Sequence, residues 1–210
     1  MQYKNIETYM LGLVTQKMFF KLSGSILCAY FIGAIPFSSI ISSKYGKNLF
    51  VHGSKKAGAA NVLKTSGVRP AIIAFTADFT KGSVTILVAR FLGFENIFVI
   101  MIASSTILGH WKSIFNKMRG GDGFATLGGI TLVMYSIPGL MAILVAFVVN
   151  YFSRIFKYSS TLCIPGGYLI LVFYTKNVNA QIIGMGVLYS MVFLKSNATV
   201  FKDKLKSISS

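Results

Sequence analysis

The sequence contains few acidic residues and few side chains that bind metals. Five Asp and Glu residues stand against 21 Lys and Arg, so the formal net charge is +16. The two cysteines, Cys28 and Cys163, lie within apolar runs, which argues against a disulfide framework. The two histidines and two thiols lack the spacing of a usual zinc site. We therefore expect no metal and no cofactor.

What the sequence has in excess is apolar residues. They make up 54% of the chain, against roughly 45–50% in ordinary globular domains. A strongly basic chain often binds nucleic acid, but here the bases fall between long apolar runs, so a membrane surface explains them better. We expect a monomer whose surroundings are the lipid bilayer, with no nucleic-acid partner.

Seven apolar stretches predict an all-α, polytopic membrane protein with seven transmembrane helices. Only the first two stretches reach the roughly 20 residues that cross a bilayer upright. The count depends on residues 124–152, which form either one long helix or two helices broken at Pro138-Gly139. The stretches are 22–41, 71–91, 97–109, 124–135, 137–152, 160–174 and 180–194.

The distribution of Lys and Arg favours the broken helix. Seven spans place the N-terminus outside and the C-terminus in the cytoplasm, with most bases inside, as the positive-inside rule requires. The bases expected inside are Lys44, Lys47, Lys55, Lys56, Lys64, Arg69, Lys112, Lys117, Arg119, Arg154, Lys157, Lys195, Lys202, Lys204 and Lys206. Those expected outside are Lys4, Lys17, Lys21, Arg90 and Lys176.

The chain is expected to form one integral-membrane domain over residues 1–210. Residues 1–21 are polar or amphipathic and show no cleavable signal-peptide pattern, so they are an N-terminal extension of this domain. The extension is either an amphipathic helix in the membrane interface or a disordered lead-in. Its apolar residues include Ile6, Tyr9, Met10, Leu13 and Val14.

A glycine-rich basic segment, residues 52–64, follows the first apolar stretch. Small residues let backbone N–H groups approach an anion, and side-chain donors add to them. The segment predicts either a phosphate site or a flexible basic loop that touches anionic lipid headgroups. Its side-chain donors include Ser54, Lys55, Lys56, Asn61 and Lys64.

A second glycine-rich segment, residues 119–126, leads directly into an apolar stretch. A glycine turn before a helix N-terminus is a ready anion site, and Arg119 can hold a phosphate through two N–H groups. Asp122 opposes this interpretation because it places an acid where the anion would lie. A plain turn before a helix is the alternative.

Three further positions carry polar groups in or beside apolar stretches. Asp78 and Lys81 are three residues apart and so share one helix face, which predicts a structural ion pair, with a direct catalytic role as the alternative. His110 is interpreted as structural, at the end of the third stretch. Asn197, beyond the last stretch, is either a ligand for substrate or a polar flank.

Taken in order, these segments resemble the bacterial acyl-phosphate:glycerol-3-phosphate acyltransferases, the PlsY family. Residues 30–37 (YFIGAIPF) are similar to its Y-L-I-G-S-I-P-F. Residues 53–64 are similar to its G-S-G-N-P-G-A-T-N-V-x-R, and residues 78–82 to its D-x-x-K-G. Residues 109–126 follow its G-H-x-x-P-x-F-x-x-F-K-G-G-K-G-V-A-T.

The resemblance implies a seven-span enzyme of the bacterial plasma membrane with its active site at the cytoplasmic face. The implied reaction moves a fatty acyl group from acyl phosphate to the 1-hydroxyl of glycerol 3-phosphate, giving lysophosphatidic acid for phospholipid biosynthesis without a metal or an acyl-enzyme. The implied catalytic residues are Ser54, Lys64 and Asn197. The implied phosphate ligands are Gly53, Asn61, Arg119, Gly120 and Gly121, and the charges of Lys55 and Lys56 add two further predicted phosphate ligands.

Four departures from the family pattern leave a second function open. Residues 55–57 (KKA) replace G-N-P, Lys64 replaces an arginine, and Asp122 replaces the second lysine of K-G-G-K-G. Leu194 replaces the histidine of H-R-x-N-I, although Asn197 is kept. The chain is therefore an acyltransferase, with activity reduced or lost through Asp122 and Leu194, or a non-catalytic paralogue that binds phosphate or lipid without turnover.

Asp122 is the departure with the clearest consequence. An ionised acid among phosphate ligands weakens anion binding. Lys55 and Lys56 offer compensating cations on the facing loop. If they do not compensate, Asp122→Lys is expected to raise a weak activity.

Overall fold

The computed structural model describes residues 2–152, 159–176 and 178–208, which form eight α-helices and one short 3-10 helix, Ile114–Asn116. The backbone is helical from Gln2, so the predicted N-terminal extension continues into the first helix; its place in the interface stays a prediction. The α-helices are α1 (Gln2–Ala34), α2 (Phe37–Lys44), α3 (Ala59–Ser66), α4 (Val68–Phe91), α5 (Asn96–Trp111), α6 (Phe124–Phe152), α7 (Ser159–Thr175) and α8 (Ala180–Ile208).

Proline and glycine explain where two of the long helices end. Pro36 separates α1 from α2, because the residue before a proline avoids helical backbone angles. Gly93, with φ 74°, ends α4. Its N–H donates to the Arg90 carbonyl at 2.9 Å, and the Phe94 N–H donates to the Ala89 carbonyl at 3.2 Å. These are the two hydrogen bonds of a Schellman cap.

Helix α6 folds back on itself at Ser136, where φ is 44° and ψ is −107°. A Cβ atom added to Gly128 would lie 3.9 Å from Ile143 Cγ1. These two residues would be about 22 Å apart along a straight helix. Residues 124–135 and 137–152 are therefore two antiparallel arms of a helical hairpin.

The predicted break in this region is confirmed, but not its position. It lies at Ser136, before the predicted Pro138-Gly139. Pro138 instead occupies the first turn of the second arm, where its missing N–H breaks no hydrogen bond. A Cβ atom on Gly139 would lie 2.5 Å from the Thr131 carbonyl oxygen, so glycine lets the two arms meet closely.

Glycines also allow close packing between the other long helices. A Cβ atom on Gly33 of α1 would overlap the Thr106 carbonyl oxygen of α5, and one on Gly82 of α4 would overlap the Thr126 carbonyl oxygen of α6. Membrane helices associate through such small residues because the bilayer gives no hydrophobic drive for helix association. The α1–α5 and α4–α6 pairs thus form the rigid frame of the bundle.

The exposed surface is that of a multi-pass integral membrane protein. Large apolar side chains point outward, among them Phe91 (90% exposed) and Phe173 (87%), as expected where lipid covers them. Within the described residues, four stretches are long and apolar enough to cross a membrane, although the last is the hairpin of α6. They are Thr15–Lys44, Val68–Phe91, Asn96–Asn116 and Phe124–Val149.

The bundle has two distinct ends. At the hairpin end, the bend of α6 meets the end of α4 and the start of α8: Arg90 and Gln181 both donate to the Met134 carbonyl, at 3.2 and 3.3 Å. At the loop end, α1 and α5 finish and α6 begins. A small second core lies there, formed by Leu49, Ala57, Val62, Ala71 and Ala74.

Candidate functional site

The first loop at this end, L1 (residues 51–58), is held by Asn61 of α3. The side chain of Asn61 is 1% exposed, and its Oδ1 accepts a hydrogen bond from the Ser54 N–H at 2.9 Å. Gly53 has φ 63°, and a Cβ atom there would overlap Asn61 Oδ1. Asn61 Nδ2 donates to the carbonyls of Leu49 (3.0 Å), His52 (3.1 Å) and Lys56 (3.0 Å).

Asn61 and Gly53 therefore shape L1. Because the Asn61 amide is engaged with the loop backbone, its contact with a bound phosphate stays a prediction. The role that its geometry supports is to hold the L1 backbone in place around the Ser54 N–H.

The second loop, L2 (residues 119–123), is held against the end of α5. Trp111 Nε1 donates to the Asp122 carbonyl at 2.8 Å. A Cβ atom on Gly120 would overlap the His110 carbonyl oxygen, and one on Gly121 would lie 2.6 Å from His110 Nε2. The glycines of L2 are thus required for close packing on α5, a role that the sequence did not predict.

L1 and L2 touch each other directly. The Ala57 N–H donates to the Gly120 carbonyl at 3.4 Å. Lys56 Nζ lies 2.7 Å from Asp122 Oδ1 and 2.9 Å from Oδ2, with side-chain exposures of 24% and 22%. Of the two lysines expected to face Asp122, the structure therefore places Lys56 there. Lys55 is exposed, with φ 56°.

A cavity of about 90 Å³ lies between the two loops and the bundle. This is smaller than the roughly 300–1,000 Å³ of drug-sized ligand pockets, so it suits a small polar group. The N-terminus of α6 opens onto it, which favours an anion. Its walls come from Ser54, Lys56, Gly58, Ala60, Asn61, Asp78, His110, Asp122, Gly123, Phe124 and Ala125.

Beneath this cavity lies a buried charged cluster. Lys81 Nζ is 2.7 Å from Asp78 Oδ1, the ion pair that their spacing predicts, and both side chains are 3% exposed. Ser38 donates to Asp78 Oδ2 at 2.9 Å, and Lys81 donates to the Ile35 carbonyl at 3.2 Å. Because every charge has a partner, the cluster is compatible with the interior of a membrane protein.

His110 is the residue whose position the sequence interpretation missed. It is 7% exposed, with Nδ1 3.7 Å from Asp78 Oδ1. It lines the 90 Å³ cavity and, with Asp78 and Lys81, a second cavity of about 10 Å³. No sequence spacing connects His110 to Asp78, since the two lie on different helices. The feature of the sequence that could have indicated this position is the run Gly109, His110 and Trp111 at a helix end.

Other predicted site residues lie away from the cavity walls. Lys64 is exposed on α3. Arg119 is exposed, with its guanidinium carbon 5.9 Å from the Phe50 ring centroid. Asn197 donates to the Phe193 carbonyl at 3.0 Å, one turn back in α8. Their roles in binding or catalysis stay predictions.

Helix α8 reaches the site through its lysine rather than through the position that departs from the family. Lys195 Nζ lies 5.9 Å from the Trp111 ring centroid, whereas Leu194 is 66% exposed and points outward. Within the described residues, no three side chains of His, Cys, Asp or Glu gather as they would around a metal ion.

Comparison with known proteins gives consistent matches. The sequence profile of the glycerol-3-phosphate acyltransferase family matches residues 24–202. A glycerol-3-phosphate acyltransferase of Roseiflexus sp. (strain RS-1) is 37% identical over 133 residues, 62% of this chain and 66% of the relative. Glycerol-3-phosphate acyltransferase 4 of Dehalococcoides mccartyi (strain CBDB1) is 36% identical over 61% of this chain and 56% of the relative. The matched part thus spans less than two thirds of these relatives.

Two crystal structures of PlsY (YgiH), an integral membrane glycerol 3-phosphate acyltransferase, share the fold. The glycerol 3-phosphate form has a TM-score of 0.78 at 22% identity, and the lysophosphatidic acid form has 0.73 at 21%. Each match covers 89% of this chain and 93% of the other.

Proposed function

The chain belongs to the glycerol-3-phosphate acyltransferase family, and we propose that it transfers a fatty acyl group from acyl phosphate to the 1-hydroxyl of glycerol 3-phosphate. The product is lysophosphatidic acid, a phospholipid precursor. The observation that carries this proposal is the small cavity at the N-terminus of α6, which Ser54 and Lys56 of L1 line from the other side. The solved PlsY structures, in glycerol 3-phosphate and lysophosphatidic acid forms, support the choice of substrate and product.

The reaction needs positioning more than acid–base chemistry. The 1-hydroxyl oxygen attacks the acyl carbon, the bond from that carbon to the phosphate oxygen breaks, and the hydroxyl proton leaves on inorganic phosphate. Acyl phosphate is already activated, so fixed donors that hold both phosphates and stabilise developing charge can supply most of the rate. In this proposal the donors are the hydroxyl of Ser54, the ammonium of Lys56 and the first N–H groups of α6, whose residues line the cavity.

The fold of the bundle supports seven crossings, with the loop end in the cytoplasm. α1, α4, α5, the two arms of α6, α7 and α8 supply these crossings, and local thinning of the bilayer or tilt accommodates the shorter ones. Exposed bases crowd the loop end, as the positive-inside rule expects of a cytoplasmic face. Arg154 and Lys157, also predicted on this side, lie outside the described residues.

The test is turnover by purified protein in detergent, given palmitoyl phosphate and glycerol 3-phosphate. Lysophosphatidic acid is expected, with one phosphate released per product, and none without glycerol 3-phosphate. Ser54→Ala is expected to lower the rate at least about tenfold through the loss of one hydrogen bond to a charged group. Its thermal midpoint should stay within a few degrees of wild type because Ser54 is exposed.

Binding of glycerol 3-phosphate without product, from folded and monodisperse protein, would contradict the proposal. That result would favour the alternative left open by the sequence, a non-catalytic paralogue that binds phosphate or lipid.

A further inference from the structure

The ion pair between L1 and L2 has a feature that distinguishes it from a stabilising surface contact. Lys56 and Asp122 both line the cavity, and each side chain is about one quarter exposed (24% and 22%). Exposed ion pairs contribute little to stability. The pair joins two loops that backbone contacts already hold together, so its position is not explained by a need for stability.

Both members of the pair are anchored through their backbones. The Lys56 carbonyl accepts a hydrogen bond from Asn61 Nδ2 at 3.0 Å, and the Asp122 carbonyl accepts one from Trp111 Nε1 at 2.8 Å. Asn61 is 1% exposed, so its side chain is fixed by the small core beneath L1. The backbones of Lys56 and Asp122 are therefore held in place, and their side chains meet at the cavity.

The contact leaves part of the ammonium unused. Lys56 Nζ has three N–H donors, and it donates to both oxygens of Asp122. Among the described residues, no other acceptor contacts this ammonium, which leaves one N–H for a ligand in the cavity. A flexible lysine held in this way has lost much of its rotamer freedom before the ligand arrives, so less is lost on binding.

We infer that Asp122 is a positioning residue, which holds the Lys56 ammonium in the cavity as a ligand for the substrate phosphate. The inference rests on the proposed function, since it assigns a group that recognises the phosphate of that reaction. It reverses the simple electrostatic expectation, in which an acid beside an anion site only repels the anion. The carboxylate is tolerated because Lys56 neutralises it and the ammonium of Lys195 on α8 also attracts it.

The test measures the dissociation constant of glycerol 3-phosphate by calorimetry on the purified full chain. Lys56→Met removes the ammonium but keeps the length of the stem, and it is expected to weaken binding about tenfold or more. Lys47→Met is the matched control, because Lys47 is an exposed lysine at the same end that lines neither cavity. It is expected to bind within about twofold of wild type, since an exposed charge far from the ligand is screened.

The decisive variant is Asp122→Asn, for which two explanations predict opposite changes in the affinity for glycerol 3-phosphate. If Asp122 positions Lys56, removing the acid weakens binding; if Asp122 only repels phosphate, removing it strengthens binding. Asp122→Lys also removes the contact that positions Lys56, but it adds a cation that attracts phosphate, so Asp122→Asn is the cleaner variant. The double variant Lys56→Asp/Asp122→Lys restores the pair and is expected to recover most of the affinity.

Several results would overturn the inference. They are an unchanged or higher affinity in Asp122→Asn, a Lys56→Met affinity within twofold of Lys47→Met, or no binding of glycerol 3-phosphate and inorganic phosphate by wild type. The proposed function is judged separately by turnover. Wild-type turnover with unaffected variants would remove only the inference, whereas the expected pattern of affinities without turnover would remove only the proposed reaction.

Discussion

Two ion pairs in this protein differ in their surroundings and in their access to a ligand. Asp78 and Lys81 lie inside the bundle with 3% exposure, where Asp78 also accepts a hydrogen bond from Ser38 and Lys81 also donates one to the Ile35 carbonyl. Lys56 and Asp122 lie at the cavity, more than a fifth exposed, and keep one ammonium N–H for a ligand. The first pair is enclosed by the bundle, whereas the second lines a cavity that a ligand could enter.

The difference follows from the solvent around each pair. A buried charge without a partner is costly, so the bundle pairs Asp78 with Lys81 and adds neutral partners to each. A charge at the edge of the cavity can be solvated by water until a ligand displaces it. We therefore expect changes to the buried pair to affect folding and changes to the exposed pair to affect binding.

The largest expected effect is on stability, from Asp78→Asn. This change leaves the Lys81 ammonium buried without its counter-charge, which is expected to destabilise the fold by about 3–5 kcal/mol. Asp122→Asn is the matched control, and it should change stability by about 1 kcal/mol or less. Thermal unfolding in one detergent measures both.

Similar thermal midpoints of Asp78→Asn and Asp122→Asn would contradict the expectation that the buried pair matters more for folding. A second check uses Asp78→Asn/Lys81→Met. Replacing both charges by neutral groups is expected to recover part of the stability lost in Asp78→Asn, because no unpaired charge remains.

A smaller effect is expected when the contact between L1 and L2 is displaced. A Cβ atom on Gly121 would lie 2.5 Å from the Ala57 carbonyl oxygen and 2.6 Å from His110 Nε2, so Gly121→Ala must shift L2. A shift near 1 Å at a site of this kind lowers kcat/KM about tenfold to a hundredfold. Gly166→Ala on α7 is the control, since no atom lies within 4 Å of its added Cβ. Equal activity in the two variants would show that L2 does not position substrate.

The smallest expected effect is the response to salt. Raising ionic strength from about 0.05 to about 0.5 M screens exposed charges, so the KM for glycerol 3-phosphate should rise about threefold. The thermal midpoint should change little, because the buried pair is hardly screened. A KM independent of salt, in steady-state assays at constant pH, would argue against phosphate recognition by Lys56.

Periodicity and local spacing predicted much of the fold. The apolar stretches correspond to the long helices and to both arms of α6, and the Asp78–Lys81 pair follows from its three-residue spacing. The bend of α6 was misplaced because Pro138 and Gly139 are the obvious helix breakers. A proline is tolerated in the first turn of a helix, so the break falls before it at Ser136.

The sequence predicted which two segments form the site, but it did not predict which of their side chains make the contacts. Spacing identified both glycine-rich segments, yet it did not distinguish Lys56 from Lys55, since that choice depends on the positive φ of Lys55. The contact of His110 with Asp78 joins two helices distant in sequence. The engagement of Asn61 with its own loop is a tertiary detail of the same kind.

The most direct measurement is a structure of this chain with glycerol 3-phosphate bound. We predict a phosphate oxygen within about 3.2 Å of Lys56 Nζ, close to the first N–H groups of α6, with Lys56 still in contact with Asp122. The Asp78–Lys81 pair should be unchanged. A phosphate bound elsewhere on the chain, with the Lys56 ammonium still free of any ligand, would contradict this prediction.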